Sequence, residues 1–218
     1  GGGTSLARFA DKVNIIRVGT CGTSLKEIPV GAIVISQYSL GLDNLGAYYP
    51  LKDPQNPTAK VIETEFLKTK VGGVNPLSYC AAASEGVVEI LQKTARALGE
   101  KEPLLAQGIT TSSPGFFAPE GRRIGRLKTA FTFEEFITTV TNFEVKGLRI
   151  VNHEMETSAL FRLANEILGY NAGAICLVLD NLSTDEMVEA DYAASRMDRC
   201  ILVALEAMVE LVKPKLAS

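Results

Sequence analysis

Glu154 and Glu156 flank Met155 in the stretch Ile150-Val-Asn-His-Glu-Met-Glu-Thr-Ser-Ala159, where an apolar run gives way to a helical pattern. Acids two apart on a strand end point the same way, because strand side chains alternate. A carboxylate pair aimed out of the carboxyl end of a strand sits where α/β sheets bind small ligands. The same pair equally suits two solvated acids beside a helix N-terminus. A second group, Arg17-Val-Gly-Thr-Cys-Gly22, brings together a guanidinium, a hydroxyl and glycine backbone N–H groups. Those are the parts that hold an oxyanion such as phosphate, although glycines in this pattern also make plain tight turns. The lysine and glycine spacing of a Walker loop or a dinucleotide fingerprint is missing.

Three further groups carry chemistry-capable side chains. Asp180 and Asn181 close another apolar run, where Asp180 serves either as a site acid or as a helix N-cap. Phe116, Phe117, Glu120, Arg122 and Arg123 lie on an irregular segment, where aromatics read first as core and arginines as a solvated face. His153, the single histidine, invites a catalytic role. Its place between Asn152 and Glu154 on a strand aims it away from the glutamates, into the body of the protein, as a satisfied core histidine. No serine nucleophile elbow, His-Glu-x-x-His or Cys-x-x-Cys occurs, so neither a hydrolase triad nor a zinc site is supported.

Alternating strands and helices must position these groups. Strands are expected over residues 13–18, 28–36, 103–110, 147–151 and 172–179, with a turn at 19–24, a long loop at 37–60 and irregular segments at 111–123 and 180–186. Helices are marked by Val87 to Leu98 before Gly99, and by Leu160, Leu163, Ala164 and Ile167 before Gly169. A short helix carries Phe133, Phe136, Ile137 and Val140 behind a capping box of Thr132 and Glu135. A last helix carries Ile201 to Val212, with Pro214 after it, and residues 1–5 read as a glycine-rich turn. Near-continuous apolar strands between helices indicate a single α/β domain whose largely parallel sheet is covered on both faces. Such a sheet gathers the four polar groups at one edge.

The chain has 218 residues, 46% hydrophobic and 22% charged, enough for one large core. A net charge of -3 gives no electrostatic case for nucleic acid, and no apolar run approaches the ~20 residues of a membrane span. A charged-then-apolar leader is not expected from Gly-Gly-Gly-Thr-Ser. Cys21, Cys80, Cys176 and Cys200 lack metal-type spacing and read as buried free thiols, which points to a cytoplasmic location.

Together these segments resemble the nucleoside phosphorylase family that includes uridine phosphorylases and hexameric purine nucleoside phosphorylases. The carriers are Arg17-Val-Gly-Thr-Cys-Gly22, the Phe116-containing loop, Glu154-Met-Glu156 and the strand ending at Asp180-Asn181. Leu40-Gly-Leu-Asp-Asn-Leu45 and Ser113-Pro-Gly-Phe-Phe-Ala-Pro-Glu-Gly-Arg122 look closest to a uridine phosphorylase branch. The resemblance implies a mixed, largely parallel central sheet flanked by helices, and reversible phosphorolysis of uridine to uracil and ribose 1-phosphate. It implies phosphate binding by Arg17, Gly19 and Thr20, ribose binding by Glu154, Met155 and Glu156, and base binding by Cys21, Gly22, Phe116, Glu120, Arg122 and Asp180. Arg17, Glu156 and Asp180 would carry the catalysis. Nucleoside and inorganic phosphate would be the partners of a homodimer or larger homo-oligomer, without a cofactor or metal in the site; an ion at a subunit contact stays open.

Three departures accompany the resemblance. The family's segment ahead of Arg17 is expected to be missing. Glu120 stands where uridine phosphorylases have Gln. Asp180 falls where purine enzymes carry an aspartate that protonates the base, and Leu182 replaces an arginine common in uridine enzymes. A purine nucleoside phosphorylase using Asp180 as general acid, a nucleosidase and a catalytically inactive relative are the rival readings.

Overall fold

The computed structural model describes residues 13–51 and 53–212; the expected turn at 1–5 and Pro214 lie outside them. Eight strands form one mixed sheet: β1 Asn14–Thr23, β2 Ile33–Gly41, β3 Tyr79–Ala82, β4 Leu105–Ser112, β5 Glu144–Val145, β6 Leu148–Glu154, β7 Asn171–Asn181 and β8 Glu186–Met187. Seven follow the order β3-β2-β4-β6-β1-β7-β8, β5 pairs with β6, and a further pairing of β2 with β7 closes the path into a ring. The long ladders β1–β7, β2–β4 and β4–β6 are parallel, whereas β1–β6, β2–β3 and β2–β7 are antiparallel.

Ring closure changes what covers the sheet. Among the described residues the helices lie on the outside. Val87, Leu91 and Ala95 of the Glu85–Ala97 helix and Cys200, Val203 and Ala207 of the Ala190–Val212 helix pack on Ile33, Ile35 and Ile175. The Pro57–Leu67 and Phe133–Asn142 helices bury Ile62, Phe66, Phe136 and Val140 against Leu40, Ile109 and Ile150. The second face is filled by side chains: Cys21, Val34, Val151, Cys176 and Val178 alternate with the outward set and form a separate inner core. All four cysteines are buried free thiols.

Several elements run further than their apolar stretches. The expected turn at 19–24 is strand, because β1 pairs with β7 as far as Thr23 across a bulge between Cys21 and Gly22. β2 starts only after Pro29 and Gly31, the latter at φ +83, and continues through Ser36 and Ser39 to Gly41. Those hydroxyls are tolerated inside because Thr110 donates to Ser36 at 2.6 Å and Ser39 pairs with Ser112 at 2.9 Å. The expected loop at 37–60 also holds the start of a helix at Pro57, where Asn56 Oδ1 accepts from the N–H groups of Thr58 and Ala59. β4, β6 and β7 end later than expected, at Ser112, Glu154 and Asn181, since polar ends still complete the backbone ladder. The helix after Glu156 is α-helical only over Thr157–Leu160 and continues as a π-helix over Phe161–Ile167. The Thr132–Glu135 capping box forms as expected. Among the described residues no helix is long and apolar enough to cross a membrane.

Candidate active site

Strand order places the site. β1 lies between β6 and β7, and Gly22 is in register with His153 on one side and Asp180 on the other. β4 flanks β6, with Ser112 opposite Glu154. The ends of four strands therefore meet, and the segment after β4 brings Phe116, Glu120 and Arg122 over them. A cavity of about 280 Å³ is lined by Arg17, Thr20, Cys21, Gly22, Phe116, Glu120, Arg122, His153, Glu154, Met155, Glu156 and Asp180, with Leu179 and Leu182. Such a volume lies near the lower end of the ~300–1,000 Å³ of small-molecule clefts. A larger cavity of about 680 Å³ opens elsewhere, beside Glu27, Gln92, Arg96 and Lys101. It gathers none of the expected residues, so chemistry rather than size decides between the two.

The two glutamates reach this cavity by different routes. Contrary to the expectation, strand alternation does not align them, because β6 ends at Glu154 and Glu156 lies beyond it. Glu154 is 6% exposed and accepts from the N–H of Glu156 at 3.0 Å, from the N–H of Thr157 at 3.0 and 3.1 Å, and from Thr157 Oγ1 at 2.8 Å. Ser112 Oγ donates to it as well, while accepting from the N–H of Ser158 at 2.9 Å. Glu154 thus ties the strand end to the following helix. The Glu156 side chain is 62% exposed and open to a ligand.

Arg17 joins the two. Its Nη2 donates to Glu156 and lies 3.3 Å from Glu154, and its Nη1 donates to Cys176 Sγ at 2.9 Å. Burial works against the Arg17 charge, but Cys176, Glu154 and Glu156 outweigh it and raise its pKa, so the cation is fixed. Gly19, expected to bind phosphate, is absent from the cavity lining. It leaves room for Arg17, since a Cβ there would collide with the guanidinium. A Cβ on Gly22 would come within 2.8 Å of Asp180 Oδ1, so both glycines serve close approach rather than a turn.

On the far side of the cavity, Arg122 lies between two rings, its Cζ 4.1 Å from the Phe116 centroid and 4.4 Å from that of Phe133. Its Nη2 is 3.3 Å from Glu120 Oε2. Burial raises the Glu120 carboxyl to about 7, against the pull of Arg122 and helped by the Asp180 charge. Burial also raises Asp180, again against Arg122. His153 is buried between Ser24 Oγ at 3.0 Å and Thr111 Oγ1 at 2.6 Å, and burial followed by Arg122 lowers its pKa to about 3. It is a satisfied neutral histidine packed against Phe136, as expected, and it also borders the cavity. Phe117 and Arg123 do not line the cavity.

Sequence reasoning missed the residues that hold the site in place. Ser112, Thr157 and Cys176 fix Glu154 and Arg17, and only the Thr110-Thr-Ser-Ser113 run after an apolar stretch hinted at them. Removing the carboxylate they support, as in Glu154→Ala, is expected to cost roughly 2–4 kcal/mol, the penalty for orphaning buried donors and a nearby cation. Urea unfolding checks this; a change within experimental error would show that Glu154 ties nothing together.

Known proteins share this architecture. A uridine phosphorylase of Thermococcus kodakarensis is 27% identical over 175 residues, covering 80% of this chain and 51% of that protein. A DeoD-type purine nucleoside phosphorylase of Psychromonas ingrahamii is 26% identical over 206 residues, covering 94% of this chain and 68% of that protein. The structure of a Trypanosoma brucei nucleoside phosphorylase, described as showing uridine phosphorylase activity, superposes with a TM-score of 0.78 at 26% identity, over 91% of this chain and 63% of that one. The chain thus spans about half the length of the first of these relatives and under two thirds of the solved structure. The family model of the phosphorylase superfamily matches residues 7–212, nearly the whole sequence, and by that match the chain belongs to the phosphorylase superfamily.

Proposed function

We propose that the chain splits a nucleoside by phosphorolysis, with uridine as substrate and uracil and ribose 1-phosphate as products. The observation that carries this reading is the contact of Arg17 with Glu156 inside one cavity that also holds Phe116, Glu120 and Arg122. A fixed cation for an anionic nucleophile adjoins an acceptor for sugar hydroxyls, and a base-sized polar end lies opposite. In the reaction a phosphate oxygen bonds to C1′ as the C1′–N bond breaks, and the electron pair leaves with the base. Arg17 and Thr20 hold the phosphate, and Glu156 fixes the hydroxyls, exchanging its contact with Arg17 for contacts to the sugar. Glu154 holds Glu156 through its backbone, and Phe116 packs beside sugar and base. Arg122 donates to the base as negative charge develops on it. The relatives' activities and this geometry support the reading together, and the assembly we infer is a homodimer or larger homo-oligomer.

Asp180 supports a second reading. Its half-buried carboxyl, raised by desolvation and aligned with Gly22, has the environment of a general acid for a purine ring nitrogen. Under that reading Asp180→Asn reduces inosine cleavage by ~10²-fold while changing uridine cleavage only several-fold; equal losses on both substrates would remove the acid role. The deciding assay follows base release from uridine and from inosine, each with and without phosphate. Phosphate-dependent uracil release supports the first reading and phosphate-dependent hypoxanthine release the second. Cleavage indifferent to phosphate, or silence on both, overturns phosphorolysis.

A further inference from the structure

Glu120 stands where an acid is costly. It is 5% exposed, and it ends a short 3₁₀ turn, Ala118–Glu120. Gly121, at φ +75, then lets the chain press against the backbone of Thr132 and Phe133. The charged partner offered is Arg122, 3.3 Å from one carboxylate oxygen and held between two rings. Asp180 on β7, a like charge, lines the same cavity, and the buried neutral His153 on β6 borders it on the other side of β1. Arg17 on β1 is already engaged by Glu154 and Glu156. Ionised Glu120 therefore faces one long ion pair, one repulsion and little water.

Hydrogen-bond bookkeeping gives the consequence. Uracil presents an acceptor, a donor and an acceptor along O4, N3–H and O2. Its complement is donor, acceptor, donor. Arg122 supplies donors only, and an ionised carboxylate acceptors only, which leaves one uracil carbonyl unpaired in a desolvated site. A protonated carboxyl supplies one of each. We propose, building on the phosphorolysis reading, that Glu120 meets the base as a neutral carboxylic acid. Its carbonyl oxygen accepts from the ring N–H, its O–H donates to one flanking carbonyl, and Arg122 donates to the other. With Arg122 on O4, this arrangement selects uracil over cytosine, whose edge runs donor, acceptor, acceptor and so sets an amino group against the guanidinium. It also makes an acid at this position equivalent to a carboxamide. The position of the Glu120 carboxyl near 7 means that nucleoside binding above that pH draws a proton from solvent.

The test is calorimetric titration of the chain with uridine in phosphate-free buffers of different ionisation enthalpy at pH 8. The expected result is uptake of close to one proton per site. Between pH 7 and 8.5 the wild-type Kd is expected to weaken by about fifteen-fold, the linkage of one proton to a group titrating at 7. Glu120→Gln should bind uridine with no proton uptake and a flat pH profile, whereas Asp180→Asn should keep the uptake. Binding without uptake in the wild type, or uptake that persists in Glu120→Gln or vanishes in Asp180→Asn, overturns the proposal and leaves phosphorolysis standing. Failure of uridine to bind at any pH overturns both.

Discussion

Replacing Arg17 by Ala is expected to lower kcat/KM for phosphate by about 10³-fold, the scale of losing a preorganised donor to reacting oxygens. Among the described residues Arg17 is the one cation in contact with both site glutamates, so its loss removes the anion clamp and leaves two carboxylates to repel phosphate. The same change takes the cation from beside Glu154, which is buried, so a loosened fold contributes to the lost activity. Arg17→Lys separates the effects. It keeps a charge beside Glu154 but lacks the planar fork, and should raise the phosphate KM by roughly 10–100-fold with a near-native melting temperature. Steady-state kinetics with phosphate varied at saturating uridine reads both variants. An Arg17→Lys enzyme with an unchanged phosphate KM would take Arg17 out of the nucleophile's site.

Glu156→Ala should cost ~10²–10³-fold in kcat/KM for uridine and leave the fold intact. The side chain is 62% exposed and pairs only with Arg17 among the described residues, so no buried donor is orphaned by its removal. An acceptor for sugar hydroxyls also has a specific signature. With a nucleoside that lacks the 2′ and 3′ hydroxyls, the wild type loses that contact already, and Glu156→Ala should then cost little more. Turnover of both nucleosides by both proteins completes the cycle. An equal loss on the two sugars would mean that Glu156 does not touch those hydroxyls, whatever its effect on rate.

Much of the candidate site was legible in the residues and their order. The guanidinium-hydroxyl-glycine group of β1, the acid pair after β6 and Asp180 after β7 each follow an apolar run, and strand order then brings all three to one cavity. What sequence patterns did not show is why each piece sits there. Glycines at 19 and 22 read as a turn because glycine usually makes one, whereas here they clear space for the Arg17 guanidinium and the Asp180 carboxylate. The alternation rule paired Glu154 with Glu156, but the strand stops at Glu154, and Arg17 is what gathers the two. Closure of the sheet was invisible for a similar reason. The β2–β7 pairing joins residues 140 or more positions apart, and buried strands read alike whether helices or the ring's own interior cover their second face. β3, with only four residues, Tyr79-Cys-Ala-Ala82, carries too little periodicity to be seen at all.

Two acids in this site differ in what surrounds them. Glu154 is satisfied by backbone and hydroxyl donors on every side, and its work is to hold the strand end and the next helix together. Glu120 has one long contact with Arg122 and Asp180 in the same cavity, and its work depends on a proton. The distinction rests on donors within reach, not on residue type.

The central claim is that one cavity holds an anion at Arg17 and a pentose at Glu156, with the base on the face of C1′ away from the anion. Diffraction from crystals of the chain grown with sulfate and a nucleoside whose glycosidic bond resists cleavage measures this directly. The account predicts the anion at hydrogen-bond distance from Arg17 and Thr20, sugar hydroxyls on Glu156, and the base between Phe116 and Arg122. Ligands found on separate surfaces, or seated instead beside Arg96 and Lys101, would contradict it.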